Sequence, residues 1–185
     1  MSAIGLHIDL NGEALEEISK RFELDERQLH AAYTRALKRT AGTLRSMSSK
    51  GLKGLLGLRN TKRLRRRIKT RRVKGGGDGS AFEVWYGQND WPAEDFKGRP
   101  AEGESGVQFL GHSFPSAFVG SLGGSRTILR RKTARSHPIE RVLMPVQDQM
   151  DVFLEDEVFD QIEDVFARHF EAEVRARALF GIGRR

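Results

Sequence analysis

Ile4, Leu6, Ile8 and Leu10 alternate with Gly5, His7 and Asp9, the two-residue period of a half-buried strand, and Asn11-Gly12 closes the run. Leu15, Ile18 and Phe22 then recur at helical steps behind Glu13, Glu16 and Glu17, whose charges favour a helix N-terminus, so a short helix is expected from about Gly12 to Phe22. Asp25 with Gln28 three residues later has capping-box spacing, and Leu29, Ala32, Ala36, Leu37, Ala41 and Leu44 form one apolar stripe after it. This second helix is expected to reach Met47. A break or kink should follow where Ser46, Ser48, Ser49, Gly51, Gly54 and Gly57 loosen the chain, each glycine weakening a helix by ~1 kcal/mol. From Leu58 onward, Leu64 and Ile68 share one helical face while Arg65, Arg66, Arg67, Lys69 and Arg72 cover the rest, which predicts a short, very basic helix.

The run Gly75-Gly76-Gly77-Asp78-Gly79-Ser80 reads as a flexible hinge between a helical half and a strand-rich half. Phe82, Val84 and Tyr86 alternate with Glu83 and Trp85 as a strand. Gln88 to Ser105, with Pro92, Gly98, Pro100 and Gly103, is expected to be an exposed loop, and its length beyond the usual ~4–6 residues points to an interface or functional role. Further strands are expected at Val107 to Leu110, Ala117 to Leu122, Thr127 to Lys132 and Ile139 to Met144, with Gly123-Gly124 as a hairpin turn. Val146, Met150, Phe153, Leu154, Val158, Ile162, Val165, Phe166 and Phe170 then recur at three- and four-residue steps. They predict one long helix from Pro145 to about Leu179, ended by Gly181 and Gly183, with residues 181–185 a loose tail.

These elements make an α+β protein, an antiparallel sheet of about four to five strands flanked by N-terminal helices and a long C-terminal helix. Residues 1–74 carry the first strand, the helices and a basic arm, 75–80 the hinge, and 81–180 the sheet and last helix, read as one domain with 1–74.

Charge changes the picture. Between Arg27 and Gly77 there is no Asp or Glu, and the centre of that stretch offers Lys62, Arg63, Arg65, Arg66, Arg67, Lys69, Arg71, Arg72 and Lys74 as candidate partner- or DNA-contacting residues. Such a block repels itself unless an anion lies against it: a nucleic-acid backbone, an acidic neighbouring subunit, or the acidic segment of this chain from Asp148 to Asp164. The net charge of +7 and pI near 10.0 over 185 residues fit any of these. Neutralising phosphates gives affinity without sequence readout, and aromatic residues for stacking on bases are missing from Arg35 to Lys74. Asp156, Asp160 and Asp164, at four-residue steps, form a candidate subunit-interface face, with Trp85 and Trp91 as candidate interface anchors. Exposed pairs are worth only ~0.2–1 kcal/mol each, so their role would need repetition across an assembly.

Cysteine is absent, which excludes disulfides, thiolate metal sites and cysteine nucleophiles. His7, His30, His112, His137 and His169 lack metal-ligand spacing, and Ser113, Ser116 and Ser121 lack a nucleophile elbow. The glycine run is not followed by the Lys-Ser or Lys-Thr of a phosphate loop. The expectation is therefore a protein with no catalytic residues, no cofactor and no metal. The start carries no secretory pattern, and no apolar run approaches the ~20 residues needed to cross a bilayer, so a cytoplasmically made protein without membrane contact is expected.

Phe114-Pro115-Ser116-Ala117-Phe118-Val119, then a basic strand with Arg126, Arg130, Arg131 and Lys132, then His137-Pro138-Ile139-Glu140-Arg141-Val142-Leu143-Met144-Pro145 resembles the minor tail protein Z family of tailed bacteriophages. In that family and in related tail-completion proteins of the phage neck, an Ala-Phe strand precedes a basic strand, and a Pro-Ile-plus-apolar strand ends in proline before the last helix. The opening order of strand, short helix, Ala-rich helix and arginine-rich segment is similar too. The loop with Trp91 and Pro92 has no counterpart. The resemblance implies a structural virion protein at the head-proximal end of the tail, without enzymatic activity or cofactor. It further implies assembly as a homo-oligomer, a hexameric ring, that contacts other tail and neck proteins and the DNA terminus. A nucleic-acid-binding protein outside a phage particle, or an adjacent tail-terminator or head-closure role, remains the alternative.

Overall fold

The computed structural model describes residues 2–6, 17, 18, 20–74, 80–133 and 138–181. Residues 17, 18 and 20–22 are helical, inside the expected first helix. The Asp25 side chain then accepts from the Gln28 amide at 2.7 Å while Gln28 Oε1 accepts from the Asp25 amide at 3.2 Å, closing the capping box at the start of α1 (Glu26–Leu55). The apolar stripe is buried as its spacing predicts, from Leu29 through Ala36 and Leu37 to Leu44. The expected break after Met47 does not occur. Ser48 Oγ donates back to the Leu44 carbonyl at 2.7 Å and pairs with the Tyr86 hydroxyl at 2.9 Å, Leu52 is fully buried, and Gly51 lies under the Phe153 ring where a Cβ would collide. Tertiary contacts override the weak local propensity of this stretch, and the helix runs on to Leu55, with Gly57 just beyond it at a left-handed φ of 60°.

The basic segment also differs from expectation. Only α2 (Lys62–Arg67) is helical; β2 (Ile68–Lys74) is a strand, paired antiparallel with β3 (Ser80–Tyr86), whose other edge holds β1 (Ser2–Leu6). The block is therefore no arm: half of it is built into a sheet that packs on α1. The reason lies in Ile68, Thr70 and Val73, β-branched residues that suit a pleated surface, and in Ile68 and Leu64, both fully buried. Residues 75–79 of the proposed hinge lie outside the described residues. The strands on either side pair up to Lys74 and Ser80, so the two halves share one sheet.

Gln88 to Ser105 is not an open loop. Trp91–Pro92 forms β4, a single 3-10 turn covers Ala93–Asp95, and Ala101–Gly103 forms β5. Trp91, Ala93 and Phe96 are buried, and the backbone is tied to the segment between α1 and α2: Arg59 N donates to Asp95 O at 2.9 Å and Lys97 N to Gly57 O at 2.7 Å. β5 pairs with β6 (Gly106–Phe109), and β6 with β7 (His112–Pro115). β8 (Ala117–Leu122) and β9 (Ser125–Arg131) form the expected hairpin, with Gly123 and Gly124 at φ of 63° and 79° as its primed turn requires. β10 (Ile139–Arg141) adds to β9, and β11 (Leu143–Met144) to β4. The strands are thus antiparallel throughout, but they divide among small sheets instead of forming one.

The C-terminal segment is two helices, α3 (Gln147–Glu157) and α4 (Ile162–Phe180), separated by a 3-10 turn at Phe159–Gln161. Val158 at the break is buried, and the Phe159 ring meets Tyr86 edge-on at 6.4 Å. Gly181 ends α4 in the left-handed conformation, as expected. The architecture is α+β, with α1 and α4 packed against each other beside the small sheets.

Candidate functional site

α2 projects its charges because only Leu64 of its six residues is buried. Lys62, Arg65 and Arg66 are exposed, and none has an acidic partner among the described residues. Arg45 Nη2 donates to the Arg65 carbonyl at 3.1 Å, bringing a further guanidinium to the same spot. Arg63 is half-buried against Asp95, the acid supplied by the 3-10 turn that the sequence reading placed in an open loop. On β2, Lys69 and Arg71 face the same side as Trp85 and Glu83 of β3, their direct cross-strand neighbours. Arg71 Nε donates to Glu83 Oε2 at 2.6 Å, and Lys69 Nζ sits 5.5 Å from the Trp85 ring centroid. Gly87 lets the Trp85 indole and the Arg67 side chain close over its bare Cα, where a Cβ would lie 2.6 Å from the ring and 2.9 Å from Arg67 Cδ. The indole therefore has the Lys69 cation over it, and the aliphatic stem of Arg67 comes to the same glycine.

The block thus has internal counter-ions in Glu83 and Asp95, neither of them in the segment from Asp148 to Asp164 that the sequence offered as the internal source of negative charge. What remains for a partner is Lys62, Arg65 and Arg66 at α2, with the exposed Lys69 and the partly exposed Arg67 and Trp85 beside them. Arg72 is also exposed, and Lys74 ends β2 opposite Ser80. Sequence reasoning missed the aromatic in this surface because Trp85 enters from the neighbouring strand. The available signal was strand pairing: once Ile68 to Lys74 reads as a strand, Trp85 and the cations become neighbours.

Two other candidates change. Trp91 is fully buried and tilted against Phe96 at 6.5 Å, so it is a core residue and anchors no interface. Asp156, Asp160 and Asp164 are exposed but fall in α3, the 3-10 turn and α4 respectively, so the break at Val158 interrupts the single helical face their spacing implied.

A second charged cluster lies between α1 and α4. Arg177, 3% exposed, donates to Glu173 Oε2 at 2.7 Å, and Arg39 Nη1 donates to Glu173 Oε1 at 3.0 Å. Burial works to raise the Glu173 pKa, but the hydrogen bonds from Arg177 and Arg39 outweigh it and hold the carboxyl below its ordinary range. His169 pairs with Thr43 Oγ1 at 2.9 Å, and burial, reinforced by the Arg39 and Arg168 charges, lowers its pKa. These groups are consumed in holding two helices together.

Among the described residues no group of three or more His, Asp or Glu side chains could hold a metal ion, and no helix is long and apolar enough to cross a membrane. Comparison of the chain with protein-family models, with curated proteins and with solved structures returns no match. The arrangement is suited to docking: a cationic, aromatic-containing surface held on core-anchored elements.

Proposed function

We propose that this chain is a structural component of a tailed bacteriophage or phage-tail-like particle, a tail-completion or neck protein at the head-proximal end of the tail. It works there as a ring subunit that contacts tail, connector or DNA end. The observation that carries the reading is the cationic surface of Lys62, Arg65, Arg66, Arg67 and Lys69, which leaves charge for a partner after Asp95 and Glu83 have taken Arg63 and Arg71. The order of β8, the basic β9, β10 and β11 before α3 gives further support, since the Ala117-Phe118 and Pro138-to-Pro145 elements are those on which the family resemblance rests. No step of chemistry is assigned to the protein.

The test is co-expression with tail and neck proteins of a candidate particle, followed by imaging. Ring-shaped complexes that place this subunit at the head-proximal end are expected. A chain that stays monomeric with every head and tail component, beside particles that infect normally without it, overturns the reading.

The Trp85 indole beside Lys69 favours a second reading, nucleic-acid binding in its own right, because an aromatic beside cations can stack a base while the cations hold phosphate. That reading expects binding to naked DNA whose affinity falls with a log–log salt slope of about −0.9 per phosphate contact. Salt-insensitive or negligible binding removes it.

A further inference from the structure

At the C-terminal end of α1, the side chains of Leu55, Val152 and Phe153 form an apolar groove of about 460 Å³, rimmed by Asp148, Asp156 and Glu157. Leu55 is 52% exposed and Val152 59%, high values for aliphatic side chains gathered at one place. Phe153 is held in position because its ring fills the space above Gly51. The groove is therefore part of a firm surface, greasy at its floor and anionic at its edge. Its occupant should present apolar side chains next to positive charge.

This chain carries such a segment. Leu179 and Phe180, at the end of α4, are 77% and 75% exposed, the most exposed large apolar side chains among the described residues, and Arg184 and Arg185 follow them in sequence. The segment cannot serve its own groove. Contacts with α1 step from Gly51 against Phe153, to Thr43 against His169, to Arg39 against Glu173, so α4 runs away from the groove. The ~24 Å of α1 between Arg39 and Leu55 already exceeds the ~17 Å that five extended residues span.

We propose that the groove receives the Leu179-Phe180 end of α4 from a second copy of this chain, with Arg184 and Arg185 of that copy set against Asp148, Asp156 and Glu157. The contact is heterologous, since groove and knob are different surfaces, and each copy keeps a free groove at one end and a free knob at the other. Such contacts close into rings or extend as filaments. The proposal rests on the ring reading above and specifies its subunit contact. Two apolar side chains in one groove bury far less than the ~1,200 Å² of a stable pairwise interface, so an isolated pair is weak and closure of the ring supplies the avidity.

The chain has no cysteine, which makes disulfide trapping direct. Val152→Cys and Leu179→Cys chains mixed under oxidising conditions are expected to link to each other, neither linking to itself, while a chain carrying both gives a ladder of multimers. Asp156→Arg should slow the linkage about tenfold, and Arg184→Glu with Arg185→Glu in the partner should restore it. Linkage no faster than between Ser121→Cys and Leu179→Cys chains overturns the proposal, as does self-linkage of Val152→Cys chains. Rings seen by imaging with the groove empty, or filled by another protein or by nucleic acid, overturn this contact but leave the ring reading standing. Loss of all assembly with tail partners is instead the failure of that reading.

Discussion

Arg177 of α4 and Arg65 of α2 carry the same side chain into opposite settings. Arg177 is buried and spends its hydrogen bonds on Glu173, which Arg39 also holds, so its charge is used inside the molecule. Arg65 stands in solvent among like charges with no acidic partner among the described residues. A count of positive charges along the chain treats the two alike. Placement separates them: one sets how firmly two helices stay together, the other what the surface can attract.

The largest expected effect breaks the buried side of that contrast. Glu173→Gln leaves Arg177 enclosed without its carboxylate and should lower stability by about 3 kcal/mol in urea unfolding, while adding Arg177→Met should recover most of the loss. Simple addition of the two single losses would show that the pair does not act as a unit. Arg71→Ala is intermediate. Arg71 is largely exposed but its Glu83 partner is mostly buried, so a loss of about 1 kcal/mol is expected in the same measurement.

Acid should weaken the buried cluster more gently. The folded protein holds His169 below its ordinary pKa, so the unfolded chain binds the extra proton as pH falls through about 6.5, and stability declines there. Glu173, also lowered, adds a second loss below about 4.5, where the unfolded chain is protonated before the folded one. Melting temperatures measured across pH should show both, with His169→Gln removing only the upper decline. The smallest effect sharpens the exposed side. Arg65→Ala with Arg66→Ala should leave unfolding within about 0.5 kcal/mol of the parent, yet abolish capture of tail partners or of DNA. A large loss of stability from that double variant would erase the distinction between the two arginine classes.

Much of the fold was legible because its signals were local. The Asp25 and Gln28 cap, the Ala32-to-Leu44 stripe and the Gly123-Gly124 turn each needed only near neighbours to be read correctly. The failures were contacts at a distance. Nothing beside Ser48 in sequence announces Tyr86, and nothing near Gly51 announces Phe153, so a stretch rich in serine and glycine looked broken when it is clamped. Arginine density masked the β-branched Ile68, Thr70 and Val73. With the strand hidden, Glu83 and Trp85 could not be seen as neighbours of the basic block, and Asp95 was missed because its segment read as an open loop. The groove at Leu55 was illegible for the same reason, since its walls meet only once α3 is laid on α1.

The pairing of β1 with β3 has a consequence for how the chain acquires its structure. Ser2 lies opposite Tyr86 and Leu6 opposite Phe82, whereas Lys74 lies opposite Ser80 across a short span. The hairpin of β2 and β3 therefore has a small loop-closure cost and can form as soon as both strands exist, while β1 must close the long loop from Leu6 to Phe82 and docks later. Until it arrives, the edge of β3 that β1 covers offers unpaired backbone groups, and a nascent chain is most exposed to mispairing with its neighbours during that interval.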